Sequence, residues 1–430
     1  MRSTRRVDRG RRDFARLFAL GGSASLFTAT SGAWRSSPKP RAASSAPDER
    51  YWSEVRAGFV MPDGFTCLNA ANLCPSPGRV LDAYFDSTRS VDRDPSSQNR
   101  QKTREGREAA RRALASYLRV TPEEIVITRN TSESNNFVSS GLDLKPGDEV
   151  VIFSDNHPSN NAAWLQKAER FGFTIRTVQQ VNPHPGAEYY VDAFRKQITA
   201  RTKVVAFTHV TASVGDLLPA RELCALAREH GALSLVDGAQ SFGVLDVNLG
   251  DMQPDFFSGS AHKWPCGPKE SGILFVSKRA HDRIKPSIVS LYPGEVGISR
   301  TMEAFGQRDE PAIVGFGEAL NFQTTVGRTA IEQRARELTG LLMAGLSKVE
   351  GVKVWTHSDP SRSAGILAFQ PAGLDVRKLH QALYENDRIA CATRTGQDRG
   401  GLRFSPHFYN LQADVERSID AVKRYVTRGL

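Results

Sequence analysis

Short apolar runs recur along the middle of this chain, each followed by a polar or small-residue turn and then by a helical pattern. They fall at 124–128, 149–153, 203–208, 232–236 and 272–276, with Phe256 and Phe257 forming one more. Runs of this length bounded by turn residues read as short buried strands. Between them lie amphipathic stretches such as 220–230, in which Cys224 faces a core. The alternation from Pro77 to about Val326 predicts an α/β fold with a mostly parallel sheet covered by helices on both faces. A long helix over 328–349 then leads into a smaller α/β domain with a strand at 364–369, a helix at 375–386 and a strand just before Cys391. Ahead of the body, 51–65 predicts a helix packed across it. The organisation is a leader and linker (1–46), an N-terminal segment (47–76), a large domain (77–326) and a small C-terminal domain (327–430).

Composition fits a globular enzyme-sized chain of 430 residues, 40% hydrophobic and 24% charged. The net charge of +10 is concentrated in the leader. Residues 1–46 hold ten Lys or Arg against Asp8 and Asp13, a net of +8, and the rest of the chain carries only +2. Arg and Lys in the body lack the clustering with aromatics that a nucleic-acid groove requires, so no nucleic acid is expected. The leader segment Gly10-Arg11-Arg12-Asp13-Phe14-Ala15-Arg16-Leu17 resembles a twin-arginine export motif, and 17–29 is modestly apolar. That stretch is too short and interrupted to span a bilayer, which takes about 20 apolar residues, so no stable membrane anchor is expected. The motif predicts export by the twin-arginine translocation machinery and a periplasmic or secreted enzyme; a basic tail for acidic partners is the plainer alternative. Cys67, Cys74, Cys224, Cys266 and Cys391 show no metal-ligand spacing. No metal is expected, and a Cys67–Cys74 pairing stays open.

Candidate chemistry centres on Asp255-Phe256-Phe257-Ser258-Gly259-Ser260-Ala261-His262-Lys263-Trp264-Pro265-Cys266-Gly267-Pro268. An apolar pair, small hydroxylated residues, His-Lys and a Gly-Pro turn suit a buried strand presenting one lysine amine to an aldehyde cofactor, pyridoxal phosphate. Desolvation of Lys263 would supply the neutral amine that a Schiff base requires. The run 232–236 ends in Asp237-Gly238-Ala239-Gln240, placing a carboxylate where it can pair with a protonated pyridine nitrogen. After 124–128 comes Arg129-Asn130-Thr131-Ser132, and the start of a helix there exposes N–H groups suited to a phosphate. His157 leaves 149–153 where its ring could lie over a cofactor plane. Singly, each has a plainer role: Asp237 as a turn or cap residue, Thr131 and Ser132 as an N-cap, His157 as a solvated loop histidine. Jointly they sit beyond the carboxyl ends of strands, where open α/β sheets bind ligands.

These residues resemble the class V aminotransferases of PLP fold type I, in particular the isopenicillin N epimerase-like branch, from about Tyr51 to the C-terminus. The resemblance implies that Lys263 links covalently to pyridoxal phosphate, that Ser260 and His262 lie near its phosphate with Thr131 and Ser132, that Asp237 meets the pyridine nitrogen, and that Gln240 lies near the phenolic oxygen with His157 stacked on the ring. It further implies that Arg403, in Gly401-Leu402-Arg403-Phe404, grips a substrate carboxylate, and that Asn69, in Thr66-Cys67-Leu68-Asn69, approaches the substrate. Phe305-Gly306-Gln307-Arg308-Asp309 resembles a stretch that reaches a partner subunit's phosphate, implying a homodimer with the site at its interface, although Gln307 replaces a threonine.

The resemblance points to an aminotransferase or epimerase acting on an amino acid or amino-bearing peptide. In the desulfurases of this family an Arg-Thr-Gly segment continues into histidines and a nucleophilic cysteine. Here Arg394-Thr395-Gly396 continues as Gln397-Asp398-Arg399-Gly400-Gly401, and Cys391 lies before it, which disfavours a desulfurase and leaves a C–S lyase open. A periplasmic siderophore-tailoring enzyme and a non-catalytic binding protein of the same fold are further alternatives.

Overall fold

The computed structural model describes residues 41–43, 47–394 and 398–430. The export motif and the Thr395–Gln397 segment lie outside the described residues. The helix Glu49–Arg56 is capped by the Asp48 side chain and is followed by strand β1, Thr66–Cys67. The expected helix over 51–65 is therefore half as long. Phe59, which continues its apolar rhythm, is instead bridged to Pro77 and packs edge-on against Phe322 and Phe408, so long-range aromatic contacts override local periodicity.

The large domain carries strands Ile125–Thr128 (β2), Glu149–Phe153 (β3), Thr174–Val178 (β4), Thr202–Thr208 (β5), Leu233–Asp237 (β6), Phe256–Ser260 (β7) and Gly272–Val276 (β8). They form one sheet in the order β2-β8-β7-β6-β5-β3-β4. From β7 to β4 every pairing is parallel, and β8 runs antiparallel to both neighbours. Residues of β2, β3, β6, β7 and β8 are buried throughout, because apolar layers cover both faces of the sheet. One layer includes Val151, Phe207, Val236 and Phe257, and the other Val150, Ala206, Leu235 and Phe256. Successive side chains of a strand point to opposite faces, which is why neighbouring residues supply different layers.

The helix Arg328–Leu346 leads to the small domain, with strands Val352–Val354 (β9), Leu367–Pro371 (β10), Ile389–Ala390 (β11), Ala392–Arg394 (β12) and Gly401–Phe404 (β13). Four of them make an antiparallel sheet, β12-β13-β10-β9. The strand expected at 364–369 begins only at Leu367, since Gly365 has a positive φ of 39°. The strand before Cys391 is β11, and it pairs in parallel with β1 rather than with the small sheet. The N-terminal segment is thereby tied to the small domain, and its Leu68 is buried in the small-domain core with Leu338, Leu367 and Phe404.

Candidate active site

Strand ends and the loops after them build a cavity of about 670 Å3 lined by Lys263, His157, Gln240, Asn69, Arg403 and Arg394, among others. Five of the residues singled out from the sequence thus meet in one place, although they are spread over more than 300 positions. Asp237 ends β6 and is buried. Its Oδ2 accepts from the side-chain amides of Asn135 at 2.9 Å and Asn160 at 3.2 Å, and its Oδ1 accepts from the Ala239 backbone at 3.0 Å. Asn135 is itself oriented by the Ser258 hydroxyl, which donates to its Oδ1 at 2.7 Å. Gly238 follows because a Cβ there would lie 2.0 Å from Cζ of Phe257.

Lys263 lies just past the end of β7 with its amine in the cavity. Burial lowers its pKa to about 8, while the Asp237 charge opposes that shift and Arg403 adds to it. A lysine with a pKa near 8 has about one amine in ten neutral at pH 7, far more than an ordinary lysine. The next residue, Trp264, donates its indole N–H to Gln240 Oε1 at 2.8 Å, and its carbonyl accepts from Gln323 at 2.6 Å and His407 at 2.7 Å. Gln240 in turn gives one amide hydrogen to the Ala71 carbonyl at 2.9 Å, which leaves its second for a ligand.

Thr131 opens the helix Thr131–Gly141, whose N-cap is Asn130. Its backbone N–H donates to Ser260 Oγ at 2.9 Å, and the two hydroxyls lie 2.8 Å apart, so the helix start is docked on the end of β7. Gly272, opposite Ser260, permits this approach, since a Cβ there would come within 2.8 Å of Asn130 Cα. The exposed Ser132 reaches the Ser159 hydroxyl at 3.3 Å, and Ser159 hydrogen bonds to His157 Nδ1 at 2.7 Å. His157 caps the helix Pro158–Phe171; its pKa lies below the usual histidine value through partial desolvation and the nearby Lys263. His262 is not among the cavity-lining residues. Burial, with Lys263 and Lys269 close by, pushes its pKa down to about 4, so its ring is neutral at pH 7.

Arg403 reaches in from the small domain. One N–H donates to the Ala212 carbonyl at 2.7 Å, while its Nε is buried with no partner among the described residues, as is Oδ1 of Asn69. Burial lowers the Arg403 pKa to about 10, which keeps it a cation. Gln307 lies outside this cavity: it is exposed, accepts from Arg100 at 2.8 Å, and lines a second cavity with Arg129 and Arg308. Cys391 lines the main cavity as a buried residue, and burial pushes its thiol up to about 12. Cys67 and Cys74 are free thiols on either side of the Tyr409 hydroxyl, at 3.7 and 3.6 Å.

Several participants escaped the sequence reading. Trp264 and Arg394 stood inside the segments that drew attention, and Asn135 and Asn160 follow Ser132 and His157 by three residues each, but no local signal separates an amide that holds a catalytic carboxylate from one that caps a helix. The same is true of Asp155, which accepts from Ser213 and, at 2.8 Å, from Arg399.

The residues present suit pyridoxal phosphate. A low-pKa lysine and an arginine whose buried Nε has no partner among the described residues line one cavity of sufficient size, and a carboxylate held by three donors lies close enough to act on that lysine; the helix start at Thr131, docked on Ser260, is not part of the cavity lining. Residues 74–417 match the family model described as aminotransferase class-V, and the chain belongs to that family. It is a pyridoxal-phosphate-dependent enzyme. It is 30% identical to the isopenicillin N epimerase of Amycolatopsis lactamdurans over 390 residues, covering 86% of this chain and 98% of that one. It is 27% identical to a probable cysteine desulfurase of Methanothermobacter thermautotrophicus over 393 residues, covering 84% and 95%. Among solved structures, the apo cysteine desulfurase of Thermococcus onnurineus superposes with a TM-score of 0.78 at 25% identity, over 88% of this chain and 98% of that one. The cystine C–S lyase C-DES, in complex with cysteine persulfide, gives 0.77 at 25% identity over 84% and 97%.

Proposed function

We propose that this enzyme acts at the α-carbon of an amino acid or amino-bearing peptide, with Lys263 moving the α-proton, and that the outcome is epimerisation or transamination. The placement of Lys263 and Arg403 in one cavity, with the Asp237 charge acting on Lys263, carries this reading. Arg403 has an unengaged Nε for the substrate carboxylate, and a guanidinium holds a carboxylate in fixed orientation. Lys263, with its pKa near 8, is poised both to accept and to return a proton near neutral pH. Bound pyridoxal phosphate supplies the electron sink that makes an α-proton removable, and Asp237 would be the carboxylate that pairs with its pyridine nitrogen.

Desulfuration through an enzyme thiol is disfavoured. Cys391 is the last cysteine in the chain, and a thiol with a pKa near 12 is not a thiolate at neutral pH. A C–S lyase, which needs no enzyme thiol, is the second reading, supported by the likeness to the C-DES structure. Incubating the holoenzyme with L-amino acids in deuterated water separates these outcomes. Deuterium at Cα with appearance of the D-isomer means epimerisation, a keto acid formed without ammonia as the amino group passes to the cofactor means transamination, and pyruvate with ammonia and cysteine persulfide from cystine means the lyase. No exchange and no product across the panel would overturn the reading.

We also propose twin-arginine export to the periplasm and a homodimer in which Gln307 of each subunit approaches the other's cofactor site. The leader charge and motif support the first. The second is supported by an exposed apolar loop beside Gln307, where Val289 is 84% and Leu291 68% exposed and the Leu291 carbonyl accepts from Gly306. Cell fractionation and sedimentation of the purified enzyme test the two.

A further inference from the structure

The register of the small sheet places two arginines on one face. Ala392 stands opposite Arg403, and Arg394 opposite Gly401. Residues two apart on a strand share a face, as do directly opposed residues of neighbouring strands, so Arg394 and Arg403 are diagonal neighbours at roughly 7–8 Å. On its other side Arg403 is flanked by Ala368. The sheet positions beside these two arginines are thus Ala or Gly, and none offers a carboxylate. Both side chains line the cavity that contains the Lys263 amine.

Neither guanidinium forms an ion pair among the described residues. Arg403 meets only a backbone carbonyl, and Arg394, half-buried, makes no ion pair or hydrogen bond among the described residues. Asp155, which lines the same cavity and acts on Arg394 through its charge, is bound by another arginine: Arg399 meets it at 2.8 Å and Asp216 at 3.3 Å. The two cations repel, each partly desolvated, and Arg394 contributes to lowering the Arg403 pKa. Partly buried cations without partners are costly, and one anion per guanidinium removes both the repulsion and the unmet hydrogen bonding. A simple amino acid has one carboxylate, enough for Arg403 alone.

We propose that the natural substrate is dianionic, with its α-carboxylate on Arg403 and a second carboxylate, carried several bonds away, on Arg394. The proposal rests on the role of Arg403 given under Proposed function and adds the substrate class: an amino acid or peptide with an acidic distal end. Arg394 is then a specificity determinant and leaves the chemistry at the α-carbon to Lys263.

Binding of unreactive carboxylates to the holoenzyme tests this without turnover. Glutarate and adipate are titrated calorimetrically against pentanoate and hexanoate, using wild type, Arg394→Gln, Arg394→Lys and Arg403→Gln. In the wild type each dicarboxylate should bind at least about ten-fold more tightly than the monocarboxylate of equal length, a factor equivalent to about 1.4 kcal/mol. Arg394→Gln should bring that ratio close to one with monocarboxylate affinity within about two-fold, Arg394→Lys should retain part of it, and Arg403→Gln should weaken all four ligands. Equal affinities in the wild type, or a ratio that survives Arg394→Gln, overturn the proposal. The visible absorbance of the same samples reports the bound cofactor: its absence would instead overturn the parent reading, whereas a normal spectrum with a ratio of one would sink only the dianionic substrate.

Discussion

Asp237→Asn removes one charge and alters one hydrogen-bonding pattern close to Lys263, and both consequences follow from the geometry. The two amides aimed at Oδ2, from Asn135 and Asn160, require an acceptor there, so the new side chain keeps its oxygen on that side. Its NH2 group then faces the Ala239 N–H that Oδ1 accepts in the wild type, donor against donor. A buried N–H left without an acceptor costs about 1–3 kcal/mol, and the apoprotein should lose stability of that size in urea denaturation. The second consequence concerns Lys263. Asp237 raises its pKa against the burial that brings it down to about 8, so without the carboxylate the pKa falls further. The assay is the initial rate at which apoprotein takes up pyridoxal phosphate, followed by absorbance against pH. If attack by the neutral amine limits the rate, it should rise about ten-fold per pH unit and bend near pH 8 in the wild type, and bend at lower pH in the variant. The variant should also lose most α-proton exchange. An unchanged or higher bend with unchanged stability would refute the assigned coupling between these two residues.

Lys263→Met should stabilise the apoprotein at pH 7. The folded pKa of the lysine lies below its unfolded value, so between about pH 8 and 10.5 the unfolded chain holds a proton that the folded one has released, and wild-type stability rises with pH across that window. The advantage of the variant, read from urea midpoints, should therefore shrink from pH 7 to pH 10, and the same variant should never bleach on borohydride treatment with cofactor. Cys391→Ser should leave turnover within about two-fold, because a thiol held near pKa 12 is not the nucleophile; a loss beyond ten-fold would revive the desulfurase reading. Gly238→Ala should destabilise the fold by about 1–3 kcal/mol in denaturant titration, since its Cβ would overlap the Phe257 ring.

Much of the large domain was legible because a strand buried on both faces must be apolar nearly throughout. The runs at 149–153 and 272–276 coincide with β3 and β8, and those at 203–208 and 232–236 match β5 and β6 to within a residue at each end. Ends of elements were less legible where distant groups decide them. The helix over 51–65 stops at Arg56 because Phe59 is drawn to Phe322 and Phe408, and β11 joins β1 instead of the small sheet through a pairing between segments more than 300 residues apart. In the site, Lys263, Asp237 and Arg403 stood out as residue types in characteristic surroundings. The residues that hold them did not, since Asn160 and Trp264 look like any capping amide or core indole until a partner from another loop arrives.

By itself the sequence determined the strand-turn-helix alternation and the chemical groups that follow the strand ends, because burial on both faces of a sheet and reactive residue types are written locally. The tertiary structure decided which of those groups share one cavity, how far each pKa moves, and that Arg394 stands beside Arg403 on one face of the small sheet. Electrostatic and desolvation effects depend on neighbours that only folding brings together, and a one-residue shift in strand register would have turned Arg394 to the opposite face.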